Sequence, residues 1–566
     1  MDRQQRMRVA VVLGAFAIAF ASLTVSSYVG ESATADEPIN LTAGYTMLKL
    51  KDYRIHPDNM PLLRMWAVLP LLAMRDVQLN TNSPAWVSRS RLQFSHDFLY
   101  KDNDADRMLY RARFMNVTLG ILLGALLFSW VREWFGLWPA AIALLLFATE
   151  PNILAHTGLV TTDIGVTCFM FGAVYFAWRF AQRLSVGNLA GLTVFFVLGA
   201  VSKFTALLLL PILVILLLVR PLREESWHAS ATLRTVATLF WLALSTYFAV
   251  WAVYSFRYAP TLGGQTFDFS DNAWVLGRVP RLAVFVHWID AHHLLPNACT
   301  QGFLLEQARG QRWPAYFAGR FSMEGWWYYF PIVFLIKTPI ALLVLFFAGI
   351  GLCVRQRANF WKREIFALLP LAVGFTAAIS SKLDVGLRHI LPLYPLVLLV
   401  ASAAVSALLE RRSRWLCFVV GVLCAAQIAE LAAAYPHNLA FFNQLVGGPR
   451  NGYEWLADSN IDWGQDLKTL KRWMERHDVT RINLSYFGSA DPAYYGIQCT
   501  YLPGSPFFAQ AKVGDPMLPG FVCVSIHNLT GAGLAGNPFY RPLLLREPVA
   551  VIGYSIRVYW VDRPWW

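Results

Sequence analysis

The sequence predicts a polytopic α-helical membrane protein, with about eleven transmembrane helices and a small C-terminal α/β domain outside the membrane. Three observations carry that prediction. Hydrophobic residue types make up 56% of the 566 residues, and mean hydropathy is +0.43. Several apolar runs of about 18 or more residues lack charge, which is the length a helix needs to cross a bilayer. Beyond residue 440 the pattern shifts to short β-branched and aromatic runs separated by Gly and Pro.

The first run, roughly Val9 to Val29, follows Arg3, Arg6 and Arg8 and is closed by no convincing small-residue cleavage site, so it is expected to persist as a first helix. Later runs fall near Phe114–Trp130, Leu137–Thr149, Leu159–Phe180, Leu189–Val201, Phe204–Val219, Val236–Tyr254, Tyr328–Val354, Ile365–Ser380, Ile390–Leu409 and Trp415–Tyr435. Arg179 with Arg183, Arg220 with Arg223 and Arg234, the set Arg355, Arg357, Lys362 and Arg363, and the trio Arg411, Arg412 and Arg414 fall on alternate loops. These loops share a side with the N-terminus, and the positive-inside rule makes that side cytoplasmic. The expected address is therefore the cell (inner) membrane, multi-pass, with a cytoplasmic N-terminus. Residues 1–440 form the membrane domain, with large outer loops at 30–113 and 257–327, and residues 441–566 form the extracytoplasmic α/β domain.

In that tail, "DLKTLKRWMERHD" spaces Leu467, Leu470 and Trp473 for one helix face, and "RINLSYFG", "FVCVSIHNL" and "VAVIGYSIRVYWV" read as strands. Cys499 and Cys523 are either a bridge or two free thiols, and "NLT" at Asn528 matches a glycosylation acceptor pattern. The net charge of +13 does not argue for nucleic acid, because the basic residues sit in short clusters between apolar runs rather than on one face.

Ionisable residues gather on the predicted outer side. Asp36 and Glu37 follow the first run; Glu150, His156 and Asp163 flank the next outer turn; Lys203 separates two apolar runs; Lys337 lies within one; Arg388 and His389 lead into "ILPLYP". Such a group costs on the order of 2.5–3.5 kcal/mol in hydrocarbon, so each asks for a function, although Lys203 and Lys337 could equally snorkel and His56 could be a plain loop residue. Two acids and several cations from separate loops suit group transfer from an anionic lipid. A carboxylate takes the acceptor's proton, and fixed positive charge holds the leaving phosphate.

The residues also resemble a family. "DEPINLTAGYTMLKLKDYRIHPDNMPLL", "TEPNILAHTGLVTTD", "SKFTALLLLP", "GWWYYFPIVFLIKTP", "GLRHILPLYP" and "FFNQLVGGPRNGYEWLADSNIDWGQDLKTL" run in order through nearly the whole chain. They are similar to the phospholipid carrier-dependent membrane glycosyltransferases, relatives of the protein O-mannosyltransferases and the lipid A aminoarabinose transferase. The resemblance implies a GT-C-like fold and an inverting sugar transfer on the extracytoplasmic face. It implies Asp36 as base, Asp163 as the acid of the second outer loop, and Arg388 and His389, with Lys203, as ligands of the lipid phosphate. Glu37, His56, Glu150, His156, Lys337, Asp458 and Asp462 are expected in supporting or acceptor-side roles, packing of the outer domain being an equal alternative for Asp458 and Asp462. Where relatives read "HPEHPPL", this chain reads "HPDNMPL" at His56–Leu62, so Asn59 takes no catalytic duty from the second His of that pattern.

The implied partners are a polyprenyl-phosphate sugar donor, a protein, lipid or glycan acceptor, and membrane lipid, with no nucleic acid. No cofactor is expected; a divalent cation held by Asp36, Glu37 and Asp163 is the less favoured alternative. A transporter or flippase of lipid-linked sugars would also need embedded charge, but transporters show paired broken helices in two related halves, and no such repeat is visible. A receptor-like anchor would not need so many spans.

Overall fold

The computed structural model describes residues 3–223, 229–270, 272–355, 363–411, 413–504, 511–512, 514–515 and 517–565. Arg357, Lys362 and Arg412, read above as topology signals, lie outside these residues.

Helices α1 (Arg3–Tyr28), α2 (Glu37–Leu50), α3 (Ala105–Phe135), α4 (Leu137–Ala148), α5 (Pro151–Thr157), α6 (Asp163–Gln182), α7 (Val186–Ala200), α8 (Leu209–Arg223) and α9 (Ala229–Val253) make the first half. Helices α10 (Asn297–Gly310), α11 (Tyr329–Lys337), α12 (Ile340–Arg355), α13 (Ile365–Ile379), α14 (Tyr394–Glu410) and α15 (Arg414–Ala434) follow. Each of the eleven apolar runs is helical, but the count of spans differs from the expectation. Among the described residues six helices are long and apolar enough to cross a membrane, or up to eight if each of two bent pairs is one span. The 15 residues of α7, α8 and α13 span only about 22 Å each at 1.5 Å per residue.

Both bends have a local cause. Glu150 and Thr338 precede prolines, whose rings disfavour the helical region for the preceding residue; both are extended, at ψ 112° and 136°. The chain consequently turns by 64° between α4 and α5, and by 118° between α11 and α12. Other boundaries are set by caps. Asp104 accepts from the Arg107 amide to start α3, and Gly136, at φ +89°, lets α3 turn directly into α4. Helix α14 is the most buried span and packs on α12; a methyl on Gly349 would lie 2.1 Å from the Val400 carbonyl oxygen, so the two backbones touch there.

The tail forms the expected α/β unit. Helix α16 (Leu467–Arg476) buries Leu467, Leu470 and Met474, with Met474 taking the inward place expected of Trp473. After a hairpin of β1 (Ala315–Phe317) and β2 (Arg320–Ser322) in the 257–327 loop, the tail contributes β3 (Arg481–Ser485), β4 (Gln498–Tyr501), β5 (Gly520–Ser525), β6 (Ala550–Ile552) and β7 (Ile556–Val561). The five tail strands lie in the order β4-β3-β5-β7-β6. Cys499 pairs in register with Ile482 and Cys523 with Leu484, so β3 lies between the two cysteines. Two strand spacings, about 9.5 Å, exceed the reach of a disulfide, and both thiols are free. Asn528 is 1% exposed and donates to Ser485 Oγ and Gly504 O, which takes it out of reach of glycosylation machinery.

The tail is bonded into the membrane domain. Ser32 and Ala35 amides donate to the Gln465 and Trp463 carbonyls at 2.8 Å each, and Asn443 donates from its side chain to the Leu335 and Thr338 carbonyls at the α11–α12 bend.

Candidate active site

The loop Ser32–Asp36 is held at the start of α2 by the bonds to Trp463 and Gln465 just described, and by Ser489 Oγ donating to the Thr34 and Ala35 carbonyls. Glu37, the first residue of α2, turns inward and is fully buried. Its carboxylate takes Arg113 Nε at 2.8 Å and Nη2 at 2.6 Å, the Thr34 amide and hydroxyl, and the Val160 amide. With every lone pair engaged, Glu37 is a structural bolt joining α2, α3 and the α5–α6 turn.

Asp36, one residue earlier, faces the other way. Its side chain is 43% exposed, does not cap α2, and accepts from Arg388 Nη1 at 2.9 Å. Arg388 also lies over the Trp463 ring, 4.3 Å from the centroid. Burial works against the Arg388 charge, but the nearby carboxylates of Asp36, Asp163 and Asp458 more than offset it and raise its pKa. Asp163 opens α6, is 1% exposed, and takes Lys203 Nζ at 2.8 Å. Lys203 thus does not snorkel; it reaches from the α7–α8 break into the site. His389, next to Arg388, is kept neutral by burial and by the charges of Arg388 and Lys203.

These groups form one electrostatic cluster: Asp36, Asp163, Arg388 and Lys203, with His156 and His389 beside them. Four buried polar atoms in it have no hydrogen-bond partner among the described residues: Asp163 Oδ2, Arg388 Nε, His156 Nδ1 and His389 Nε2. An apolar cleft lies between α6, α8, α11, α13 and α14, with His389 and Ser381 in its lining. Charged head and apolar cleft therefore meet at His389.

The other expected site residues are placed elsewhere. Glu150 caps α5 by accepting from the Ile153 amide and is fully buried. Lys337 donates to the Leu439 and Asn460 carbonyls at 2.8 and 2.6 Å and, among the described residues, pairs with no carboxylate. Asp462, 0% exposed, accepts the Gly464 and His527 amides, and burial pushes its carboxyl up to about 8. Asp458 accepts the Ser459 amide and stays within the electrostatic reach of Arg388. His56, brought down to about 4 by burial and the Arg64 charge, sits 3.4 Å from Asp58, which also binds Arg91 and Arg309. Glu37, one of the three acids that a cation would need, is spent on Arg113, and among the described residues there is no group of three or more His, Cys, Asp or Glu that could hold a metal.

Trp463, Arg113 and Asp58 were missed from the sequence. Trp463 had a signal, lying inside the unusual "DSNIDWGQD"; Arg113, the last basic residue of "RMLYRARF" before an apolar run, had a weaker one.

Within α6 the acid and the basic end lie apart. Asp163 is its first residue and Arg179 is in its last turn, about 24 Å away at 1.5 Å per residue. The site thus lies at the end of α6 opposite its basic last turn.

Comparison with known proteins adds one family. Residues 107–251 match the dolichyl-phosphate-mannose-protein mannosyltransferase family, which bears out the resemblance to membrane glycosyltransferases that use lipid carriers. No curated protein matches the chain. Among solved structures, apo ArnT from Cupriavidus metallidurans aligns over 98% of both chains at 13% identity with a TM-score of 0.30. The same protein bound to undecaprenyl phosphate aligns over 97% of both chains at 12% identity and 0.29. The Archaeoglobus fulgidus oligosaccharyltransferase aligns over 94% of this chain and 70% of its own at 13% identity and 0.45.

Proposed function

We propose that the protein transfers a sugar from a polyprenyl-phosphate donor to an acceptor hydroxyl on a protein, lipid or glycan, at the extracytoplasmic face of the membrane. The observation that carries the reading is the meeting of a two-aspartate, Arg388–Lys203 cluster holding unpartnered polar atoms with an apolar cleft at His389. An anionic head on a long apolar tail is the ligand chemistry that such a junction fits. The side assignment rests on the positive-inside pattern, to which the placement of Asp163 and Arg179 at opposite ends of α6 lends support.

In this reading the lipid phosphate sits against Arg388 and Lys203, with the isoprenoid chain in the cleft. The acceptor oxygen attacks the anomeric carbon from the face opposite the phosphate; the new C–O bond forms as the bond to the phosphate oxygen breaks, inverting the configuration. Asp36, the more exposed of the two acids, takes the acceptor proton. The phosphate leaves with its electron pair and added charge beside Arg388 and Lys203. Asp163 keeps Lys203 extended toward the phosphate through their 2.8 Å ion pair. The reaction as written needs no redox group, and proton and leaving group are both accounted for by these side chains.

The test is to incubate purified protein with a radiolabelled polyprenyl-phosphate sugar and a cell-envelope extract, following both label in acceptor and release of the lipid phosphate. Wild type should do both, and Asp36→Asn should slow both together. Translocation of intact sugar-lipid across vesicles with no transfer would establish a flippase instead.

A further inference from the structure

Helix α10, in the 257–327 loop, is pinned against the first outer loop and the α7–α8 break at three points. A methyl on Gly302 would lie 2.0 Å from the Pro57 carbonyl oxygen, so α10 touches the first outer loop at backbone distance. Phe303 packs edge-on against Phe204, the neighbour of Lys203, with centroids 5.2 Å apart. Arg309 pairs with Asp58. Positions 302, 303, 306 and 309 share one helix face, because residues three and four apart lie over one another. Glu306 is therefore on the face that α10 turns toward Asp58 and toward Phe204, the neighbour of Lys203.

Glu306 is also the acid there with nothing bound to it. Among the described residues no hydrogen bond or ion pair engages its carboxylate, while the charges that act on it are those of Asp58, Lys203, Arg309 and Arg388. Each of those four already has a partner: Asp58 with Arg309, Lys203 with Asp163, Arg388 with Asp36. Burial, reinforced by Asp58, pushes the Glu306 carboxyl upward, and its oxygens can accept from a hydroxyl. Its oxygens are not sealed from water, so a ligand hydroxyl can reach them.

We propose that Glu306 binds the ring hydroxyls of the donor sugar and so selects the sugar, while Lys203 and Arg388 hold the phosphate. This rests on the reading of the site as a lipid-phosphate-sugar transferase. Neutral sugars would be preferred, and a uronic acid would be turned away by its own carboxylate.

The experiment measures binding of undecaprenyl phosphate and of its mannosyl, glucosyl and galacturonosyl esters to purified protein in nanodiscs, for wild type, Glu306→Gln and Glu306→Ala. Wild type is expected to bind a neutral ester more tightly than the bare carrier and the galacturonosyl ester less tightly. Glu306→Ala should lose the preference for the neutral ester, by roughly tenfold to a hundredfold for hydrogen bonds to a charged group, with its affinity for the bare carrier unchanged. Glu306→Gln, of equal volume, should bind the galacturonosyl ester better than wild type does. The proposal falls if Glu306→Ala keeps the neutral preference, if it loses bare carrier and ester alike, or if wild type prefers no ester to the bare carrier. Failure of wild type to bind the carrier in any form would instead remove the reading of the site itself, and this proposal with it.

Discussion

Asp36 and Glu37 are neighbours in the chain, yet neutralising each by its amide should have opposite consequences. Glu37 accepts five hydrogen bonds, two of them from Arg113, and both side chains of that pair are fully buried. In Glu37→Gln one oxygen becomes an NH2 group. On the Oε1 side it would face the Arg113 Nε and Val160 amide donors; on the Oε2 side, Arg113 Nη2 and the Thr34 amide and hydroxyl. Either way donors meet donors, and the Arg113 guanidinium is left buried without its counter-charge. Breaking a buried pair by removing one partner costs about 3–5 kcal/mol, a large share of the ~5–15 kcal/mol that holds a typical protein folded. Asp36→Asn keeps an oxygen for Arg388 at a half-exposed position and should change stability by less than about 1 kcal/mol. Its activity should fall by roughly 10²–10⁴, the usual contribution of a positioned base. The assay heats detergent-solubilised wild type and both variants, follows the remaining monodisperse fraction by size-exclusion chromatography, and measures lipid-phosphate release on the folded material. Glu37→Gln should melt well below wild type, and Asp36→Asn should melt with wild type and be nearly inactive. Equal melting of the two variants, or a folded but dead Glu37→Gln beside an active Asp36→Asn, would refute the division of labour.

Three further outcomes follow from the same geometry. Lys203→Met removes the cation paired with Asp163; carrier binding should weaken by roughly 10-fold or more, by the loss of a charge-assisted hydrogen bond, as read by undecaprenyl phosphate titration. The Asp384 carboxyl is pushed up to about 7 by burial while its Oδ2 accepts the Trp326 amide at 2.6 Å. With the folded value above the unfolded one, wild type loses stability as pH rises from about 4 to about 7. Asp384→Asn should therefore gain melting temperature over wild type progressively across that window and hold a constant advantage above it. Gly302→Ala would set a methyl 2.0 Å from the Pro57 carbonyl and should cost about 1–3 kcal/mol as overpacking, read as a lower melting temperature. Each measurement has a direct contrary: unchanged carrier affinity, a flat pH difference, or an unchanged melting temperature.

Much of this was legible from residue type set against context. Asp36, Asp163, Lys203 and Arg388 stand out because charge is costly in or beside apolar runs, and the structure brings all four together. The same signal picked out Glu150, Lys337 and Asp462, expected in supporting or acceptor-side roles, without separating the two. An ionisable group in an apolar setting announces that it needs a partner, but not whether the partner is a ligand or a peptide group, and those three are satisfied by amides and carbonyls. Arg113 was overlooked because it follows Arg107 and Arg111 in a stretch that reads as a wet helix end. Trp463 acts on Arg388 across a large separation in sequence, which no local pattern encodes. Hydropathy found all eleven helical runs but measures apolarity rather than length, so α7, α8 and α13 were counted as full spans. The α11–α12 bend was written in the Thr338-Pro339 pair, yet its apolarity is continuous and the run read as a single helix.

Lys337 carries a consequence for how the chain can be divided. Its ammonium lies 1% exposed at the α11–α12 bend, and its hydrogen bonds end on the carbonyls of Leu439 and Asn460. One of those carbonyls belongs to the far side of the compositional boundary at 440. A chain cut there would keep a charge sealed among helices after losing the Asn460 carbonyl and the Phe442 ring that lies 4.6 Å from it. Expression of residues 1–440 alone should then give a protein that fails at assembly, whereas a cut beyond Asn460 would leave that cation bonded. The tail is in this sense a late-arriving wall of the membrane domain, and the order of synthesis puts completion of the bend after the last helix has emerged.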